Sequence, residues 1–404
     1  MSSFSEVKKK RYPAIGFSDG ALCDKTFGTL YVSGQLGIAP GESKVSGGVL
    51  AETKQAFSNL GEILKAAGAS FSNVMKVTFL LVDDTDFGIV WEAACGFITG
   101  TNPARIIIRV RGLPKNGRVM VKALASIPIR SVRYIKTLSA PSGINYSQAV
   151  LGDKTLGTLY VSGQIGIAPG KSKLVSGGAG AEAKQAFSNL GEILKAAGSS
   201  FVNIVELIIV LVDFDDFLAI RDVYNGFFTG IARPARSVIR ISCLPQNGRV
   251  MIEATANSSI SNVCRIQTPT APAGTDYSQA VLVDKMLSTL HISGQDGTVT
   301  ESYPFDVAPG GARAEAKQAF SNLGEVLKAA GASFGNVVKV TLLLADFDDF
   351  HPVCEVYNEF FGTSRPARSV MQISGNLPDT RNVRIRIDSI AEVPIKNSGK
   401  NVRG

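Results

Sequence analysis

The stretch Ala51-Glu-Thr-Lys-Gln-Ala-Phe-Ser-Asn-Leu-Gly-Glu-Ile-Leu-Lys-Ala-Ala67 decides how the chain is read. Ala56, Phe57, Leu60, Ile63, Leu64 and Ala67 recur at three- and four-residue spacings, while Glu52, Lys54, Ser58, Asn59, Glu62 and Lys65 take the opposite side. That pattern predicts an amphipathic helix. Gly68 is placed to end it, because a glycine just past the last turn accepts the left-handed backbone that caps a helix. The heart of the stretch, Lys54-Gln-Ala-Phe-Ser-Asn-Leu-Gly-Glu62, returns at 184–192 and again, intact, at 317–325. The helix is one of three.

Other segments repeat with it. Tyr31-Val-Ser-Gly-Gln35 returns as Tyr160-Val-Ser-Gly-Gln164 and, altered, as His291-Ile-Ser-Gly-Gln295. Pro103-Ala-Arg105 returns as Pro234-Ala-Arg236 and Pro366-Ala-Arg368, with arginines 131 and 132 positions apart. Such a period is too long for a solenoid unit and right for a small domain with its own core. The 404 residues therefore read as three tandem copies of one domain, at 1–130, 131–262 and 263–404.

Within the first copy, Thr29–Ser33 and Val74–Val82 read as strands and Asp86–Ile98 as a second helix with Phe87, Val90, Ala94 and Phe97 inward. Arg105–Arg111 and Arg118–Ala125 read as two more strands joined by the turn Leu113-Pro-Lys-Asn-Gly117. This is an α+β order, a mixed sheet with two helices on one face. Val119, Val121 and Ala123 are expected on the other face. That face needs cover, and three such sheets can bury theirs against one another about a pseudo-threefold axis. The expectation is a monomer forming an intramolecular trimer.

Hydrophobic residues make up 45% and charged residues 19% of the chain, which excludes a disordered or coiled-coil protein. No apolar run spans a membrane and no signal-peptide core follows Lys8–Arg11, so a cytoplasmic location without membrane contact is expected. Five cysteines without CxxC spacing and two histidines assemble no zinc motif, and neither a metal nor a cofactor is expected. The net charge of +8 is spread along the chain and densest near its ends. Without interleaved aromatic and basic residues, this argues against a nucleic-acid partner.

With Tyr146-Ser-Gln-Ala-Val150, Tyr277-Ser-Gln-Ala-Val281, the Ser-Gly-Gln segments and Pro-Ala-Arg followed by Leu-Pro, the chain resembles the RidA (YjgF) family. The resemblance extends over nearly the whole length, three times. It implies chorismate-mutase-like domains that trimerise, with pockets between neighbours where 2-imino acids are hydrolysed to 2-oxo acids and ammonia. It assigns carboxylate binding to Arg105, Arg236 and Arg368, a role that suits a planar, permanently charged guanidinium. It places the pocket tyrosine at Tyr146 and Tyr277, with Phe17 in copy one, and the pocket phenylalanine at Phe87, Phe217 and Phe350.

The resemblance also marks departures. Where the family carries a glutamate in the last strand, this chain has Met120, Met251 and Arg386; two residues on stand Lys122, Glu253 and Asp388, of which Glu253 or Asp388 is the candidate substitute. The family's helix-two asparagine is replaced by Trp91, Arg221 and Cys354. Two functions follow as expectations. One is an imine deaminase weakened by loss of the glutamate, taking a small carboxylate or imine. The other is a repurposed binding protein or enzyme that holds a different aromatic or anionic ligand.

Overall fold

A computed structural model of the chain describes residues 4–7, 20–23, 28–42, 47–83, 86–99, 102–127, 133–135, 138, 149–151, 157–257, 263–266, 278, 280–283, 288–299, 306–364, 366–373 and 383–393. The first repeat runs β1 (Phe4–Val7), β2 (Gly20–Cys23), β3 (Gly28–Leu36), α1 (Gly48–Ala66), β4 (Val74–Leu81), α2 (Phe87–Cys95), β5 (Ala104–Arg109) and β6 (Val119–Ile127). The second has β7 (Arg133–Ile135), β8 (Ala149–Leu151), β9 (Thr158–Val161), β10 (Gln164–Ile165), α3 (Gly178–Ala196), β11 (Ile204–Leu211), α4 (Phe217–Phe227), β12 (Ala235–Arg240) and β13 (Val250–Asn257). The third has β14 (Val263–Ile266), β15 (Ala280–Val283), β16 (Ser288–Asp296), α5 (Gly311–Ala329), β17 (Val337–Leu344), α6 (Phe350–Phe361), β18 (Ala367–Gln372) and β19 (Ile385–Val393).

Each repeat makes one mixed sheet. The first is ordered β1-β2-β3-β6-β4-β5, and the other two repeat that order. Among the described strand pairs, only β4–β5 and its counterparts β11–β12 and β17–β18 are parallel. Parallel neighbours need a crossover, and α2, α4 and α6 supply it. The crossover leaves β5, β12 and β18, which carry the Pro-Ala-Arg arginines, at a sheet edge. Gly68, at φ +75°, closes α1 as its sequence position predicts.

Two expectations about faces change. Glu52 and Asn59, assigned to the polar side of α1, are buried. Glu52 Oε2 accepts the Arg118 N–H at 2.8 Å, and Asn59 Nδ2 donates to the Leu36 and Ile38 carbonyls. A polar side chain enters the core when it satisfies backbone groups that would otherwise be stranded there. Glu182 and Glu315 do the same for the Arg249 and Arg384 N–H groups.

The second change is of parity. Val119, Val121 and Ala123 pack under the helices with Phe57 and Leu60, whereas Met120 lies in a different cluster. One residue of offset sends every side chain of a strand to the opposite face. The helix-free cover is drawn from all three repeats: Leu80, Ile106 and Met120 share a buried cluster with Val210, Met251, Leu343 and Met371.

Candidate functional site

The Ser-Gly-Gln segment is a β-bulge. Between Val32 and Gln35 the β3–β6 register slips, so that Ser33 and Gly34 together oppose Lys122; the same slip occurs between Ile292 and Gln295 opposite Asp388. In repeat two the break between β9 and β10 falls at Ser162-Gly163. A bulge re-aims side chains out of the ladder. Each bulge serine, at most 1% exposed, receives the backbone N–H of another repeat's motif arginine. Arg105 donates to Ser162 Oγ at 2.8 Å, Arg236 to Ser293 Oγ at 2.8 Å and Arg368 to Ser33 Oγ at 2.9 Å.

The glycine beside each serine has a packing reason. A Cβ on Gly34 or Gly163 would stand 2.3 or 2.6 Å from the Met120 or Met251 sulfur, and one on Gly294 would stand 2.0 Å from Arg386 Nε. Met120, Met251 and Arg386 are therefore equivalent positions, each packed on its own bulge. Register agrees, since they oppose Leu80, Val210 and Leu343.

Each motif arginine lies on an aromatic bed. Arg105 Cζ is 4.2 Å from the Trp91 ring centre and 5.6 Å from that of Phe87. Arg236 lies 5.3 Å from Tyr224 and 5.9 Å from Phe217, and Arg368 lies 4.9 Å from Tyr357. A cation over a ring face is held electrostatically, the more so where water is thin, and Arg236 and Arg368 are both buried. Tyr224 and Tyr357 were not singled out in the sequence. Their signal is Val-Tyr-Asn at 223–225 and 356–358, where repeat one has Ala93-Ala94-Cys95. Ala94 lacks the ring that Trp91, one turn earlier, provides instead.

The other candidates divide. Phe87 lines the cleft beside Arg105, while Phe350 packs on the third core against Phe347. Cys354 Sγ lies 3.6 Å from Arg368 Nη1, and burial pushes its thiol pKa up against the opposing pull of that guanidinium. Arg221 is one turn along α4 from Phe217, with Nε buried. Phe17, Tyr146 and Tyr277 lie outside the described residues.

A cleft of about 690 Å³ opens where the Arg105 edge strand meets repeat two. Arg105, Phe87 and Ile107 form one wall, and Gln164, Met251 and Pro245 the other. Glu253 is elsewhere. It lines a smaller internal chamber of about 70 Å³ with Lys76, Lys122, Glu206, Lys339 and Asp388. Its Oε1 is ion-paired with Lys76 Nζ. Asp388 accepts from Ser237 Oγ at 2.7 Å in the same chamber. Met251 lines the cleft of Arg105, whereas Glu253 and Asp388 line the chamber.

Burial drives the electrostatics of that chamber. Lys122 is lowered to about 7, first by burial and then by the neighbouring Lys339 and Lys76. Lys339 is lowered for the same reasons. Burial works to raise Glu206, yet His291 with Nδ1 3.4 Å away, together with Lys339 and Lys76, brings it down to about 2. Asp388 is raised by burial, against Arg386 and Ser237. Among the described residues no cluster of three or more His, Cys, Asp or Glu side chains could hold a metal, and no helix is long and apolar enough to cross a membrane.

Comparison with known proteins places this architecture. The goat (Capra hircus) protein named 2-iminobutanoate/2-iminopropanoate deaminase is 50% identical over 125 residues, 31% of this chain and 88% of its own length. The human protein of that name is 47% identical, also over 125 residues, 31% of this chain and 88% of its own length. A crystal structure of RidA from an Antarctic Psychrobacter is 34% identical and covers 31% of this chain and 98% of its own, with a TM-score of 0.29. A family model described as endoribonuclease L-PSP matches residues 8–127, 137–258 and 268–393. The chain belongs to that family, the RidA (YjgF) family, and carries its domain three times over.

Proposed function

We propose that the three repeats, with bounds at 1–130, 131–262 and 263–404, close into a pseudo-threefold trimer and bind small 2-imino carboxylates in the clefts between them. The observation that carries this reading is the trio of arginine-to-serine bonds, which runs from repeat one to two, two to three and three to one. Each bond fixes a motif arginine at a junction of repeats. There its guanidinium, levelled by an aromatic ring, offers a carboxylate two parallel N–H donors.

The reaction is hydrolysis. Water adds to the imine carbon, the C–N bond breaks, and nitrogen leaves as ammonia while the carbon becomes a 2-oxo group. In the cleft of Arg105 the position of the family glutamate is Met251, so binding and orientation are what the chain contributes most. Absence of a general base costs about 10²–10⁴ in rate. The same Met251, an apolar and adaptable wall, favours a second reading in which the cleft holds a ligand without turning it over.

The test is ammonia release from 2-iminobutanoate and 2-iminopropanoate generated in situ. The unaltered chain is expected to exceed the spontaneous rate, and the Arg105→Ala/Arg236→Ala/Arg368→Ala chain to fall back to it. Equal rates in both overturn hydrolysis. Loss of 2-oxobutanoate binding in the triple variant at equal rates favours the binding reading.

A further inference from the structure

The cleft between repeats one and two carries more positive charge than one carboxylate requires. Arg105, Arg109 and Lys171 all line it, and none of its described lining residues is an Asp or Glu. Arg105 and Arg109 are both half-buried positions of β5 that alternate with buried Ala104, Ile106 and Ile108, so they leave the strand on one side. Four residues apart, they are separated by about 13 Å along it. Arg109 is tethered by Nε to the Val82 carbonyl and by Nη1 to Cys243 Sγ, each at 3.3 Å. Lys171 comes from repeat two, on the facing wall. At about 690 Å³ the space belongs with clefts that take ligands larger than a four-carbon acid.

Repeat two keeps an arginine, Arg240, at the position of Arg109, tethered by Nε to the Val212 carbonyl, but repeat three does not. Gln372 is to Arg368 what Arg109 is to Arg105, because both strands begin at the alanine of Pro-Ala-Arg. Gly37-Ile-Ala-Pro-Gly-Glu42 ends in an acid where Gly166-Ile-Ala-Pro-Gly-Lys171 ends in a base. Repeats three and one are joined through Arg368 and Ser33. The two extra cations of the first junction are therefore a glutamine and a glutamate at the positions matching them in that pair. Packing does not demand the cations, since the fold is built without them elsewhere.

We infer that the cleft between repeats one and two takes dicarboxylates of about five or six carbons, 2-imino or 2-oxo diacids. Arg105 holds the carboxylate beside the reacting carbon, while Arg109 and Lys171 hold the distal one, since each buried anion needs its own charged donors. This rests on the reading of Arg105 as a carboxylate anchor.

Calorimetric titration of the full chain with 2-oxoglutarate and with 2-oxobutanoate tests it. The diacid is expected to bind at least about tenfold more tightly, and in Arg109→Gln/Lys171→Glu that ratio falls to about one. These substitutions install the residues that repeat three (Gln372) and repeat one (Glu42) carry at the matching positions, and a thermal melt of the double variant checks its fold. A ratio near one in the unaltered chain, or one that survives both substitutions, overturns the diacid assignment. If 2-oxobutanoate does not bind, or binds unaffected by Arg105→Ala, the carboxylate reading fails and this inference with it.

Discussion

The backbone N–H of Arg368 donates to Ser33 Oγ at 2.9 Å across 335 positions of chain. It ties the last repeat to the first, and both partners are buried. An N–H left without an acceptor in such a place costs about 1–3 kcal/mol. Ser33→Ala is therefore expected to lower unfolding free energy by that amount in urea denaturation. Ser162→Ala, at the junction of repeats one and two, should cost a similar amount. A Ser33→Ala chain as stable as its parent would show that the bond contributes nothing to holding the repeats together.

Trp91, the one tryptophan of the chain, lies 4.2 Å beneath Arg105. Its fluorescence should report what the guanidinium holds. Titration with 2-oxobutanoate is expected to change the Trp91 emission saturably, and Arg105→Ala to abolish the change. An emission indifferent to ligand while calorimetry records binding would place the bound carboxylate away from Arg105.

Lys76 and Glu253 form an ion pair inside the chamber, both nearly inaccessible to solvent. Removing one member strands the other, at a cost of about 3–5 kcal/mol, whereas replacing both by apolar residues is often close to neutral. Glu253→Gln should destabilise the chain by that order and Lys76→Met/Glu253→Leu should recover most of it. Denaturant unfolding of the two variants decides, and a double variant no better than the single would deny the coupling.

Lys122 titrates near 7 in the folded chain, against 10.5 for an ordinary lysine. Between those values the unfolded chain holds a proton that the folded chain has released. Stability therefore rises with pH across that window, by at most about 1.4 kcal/mol per pH unit for this one group. The gain is complete above the unfolded pKa and is lost as pH falls toward 7. Lys339, lowered as well, adds in the same direction, so Lys122→Met should reduce the slope rather than flatten it. Melts between pH 7 and 10 that rise equally in both chains would contradict this.

Much of the architecture was legible without coordinates. Helical periodicity and the glycine that ends it placed α1, and the parallel crossover follows from the strand-helix-strand order around Val74–Arg111. The arginines of Pro-Ala-Arg stand out as well, because three occurrences of one short motif mark a position the fold keeps using. Glu52 and Asn59 were misplaced for a physical reason. Periodicity sorts residues by polarity, and a polar side chain bonded to buried backbone groups looks solvated in a sequence. Val119, Val121 and Ala123 were misplaced for another, since an apolar strand covered on both faces gives no sign of which parity meets the helices.

Sequence by itself determined that the chain is one domain written three times, with an arginine at the same place in a short motif of each copy. Tertiary structure alone decided which residues of different copies meet. The bulge at Ser-Gly-Gln turns a serine toward the neighbour's arginine, Glu253 of one copy pairs with Lys76 of another, and Trp91 stands in for the tyrosine that Ala94 cannot be. Such pairings are made between positions tens to hundreds of residues apart, and they depend on which face a side chain leaves from, a property set by packing rather than by local spacing.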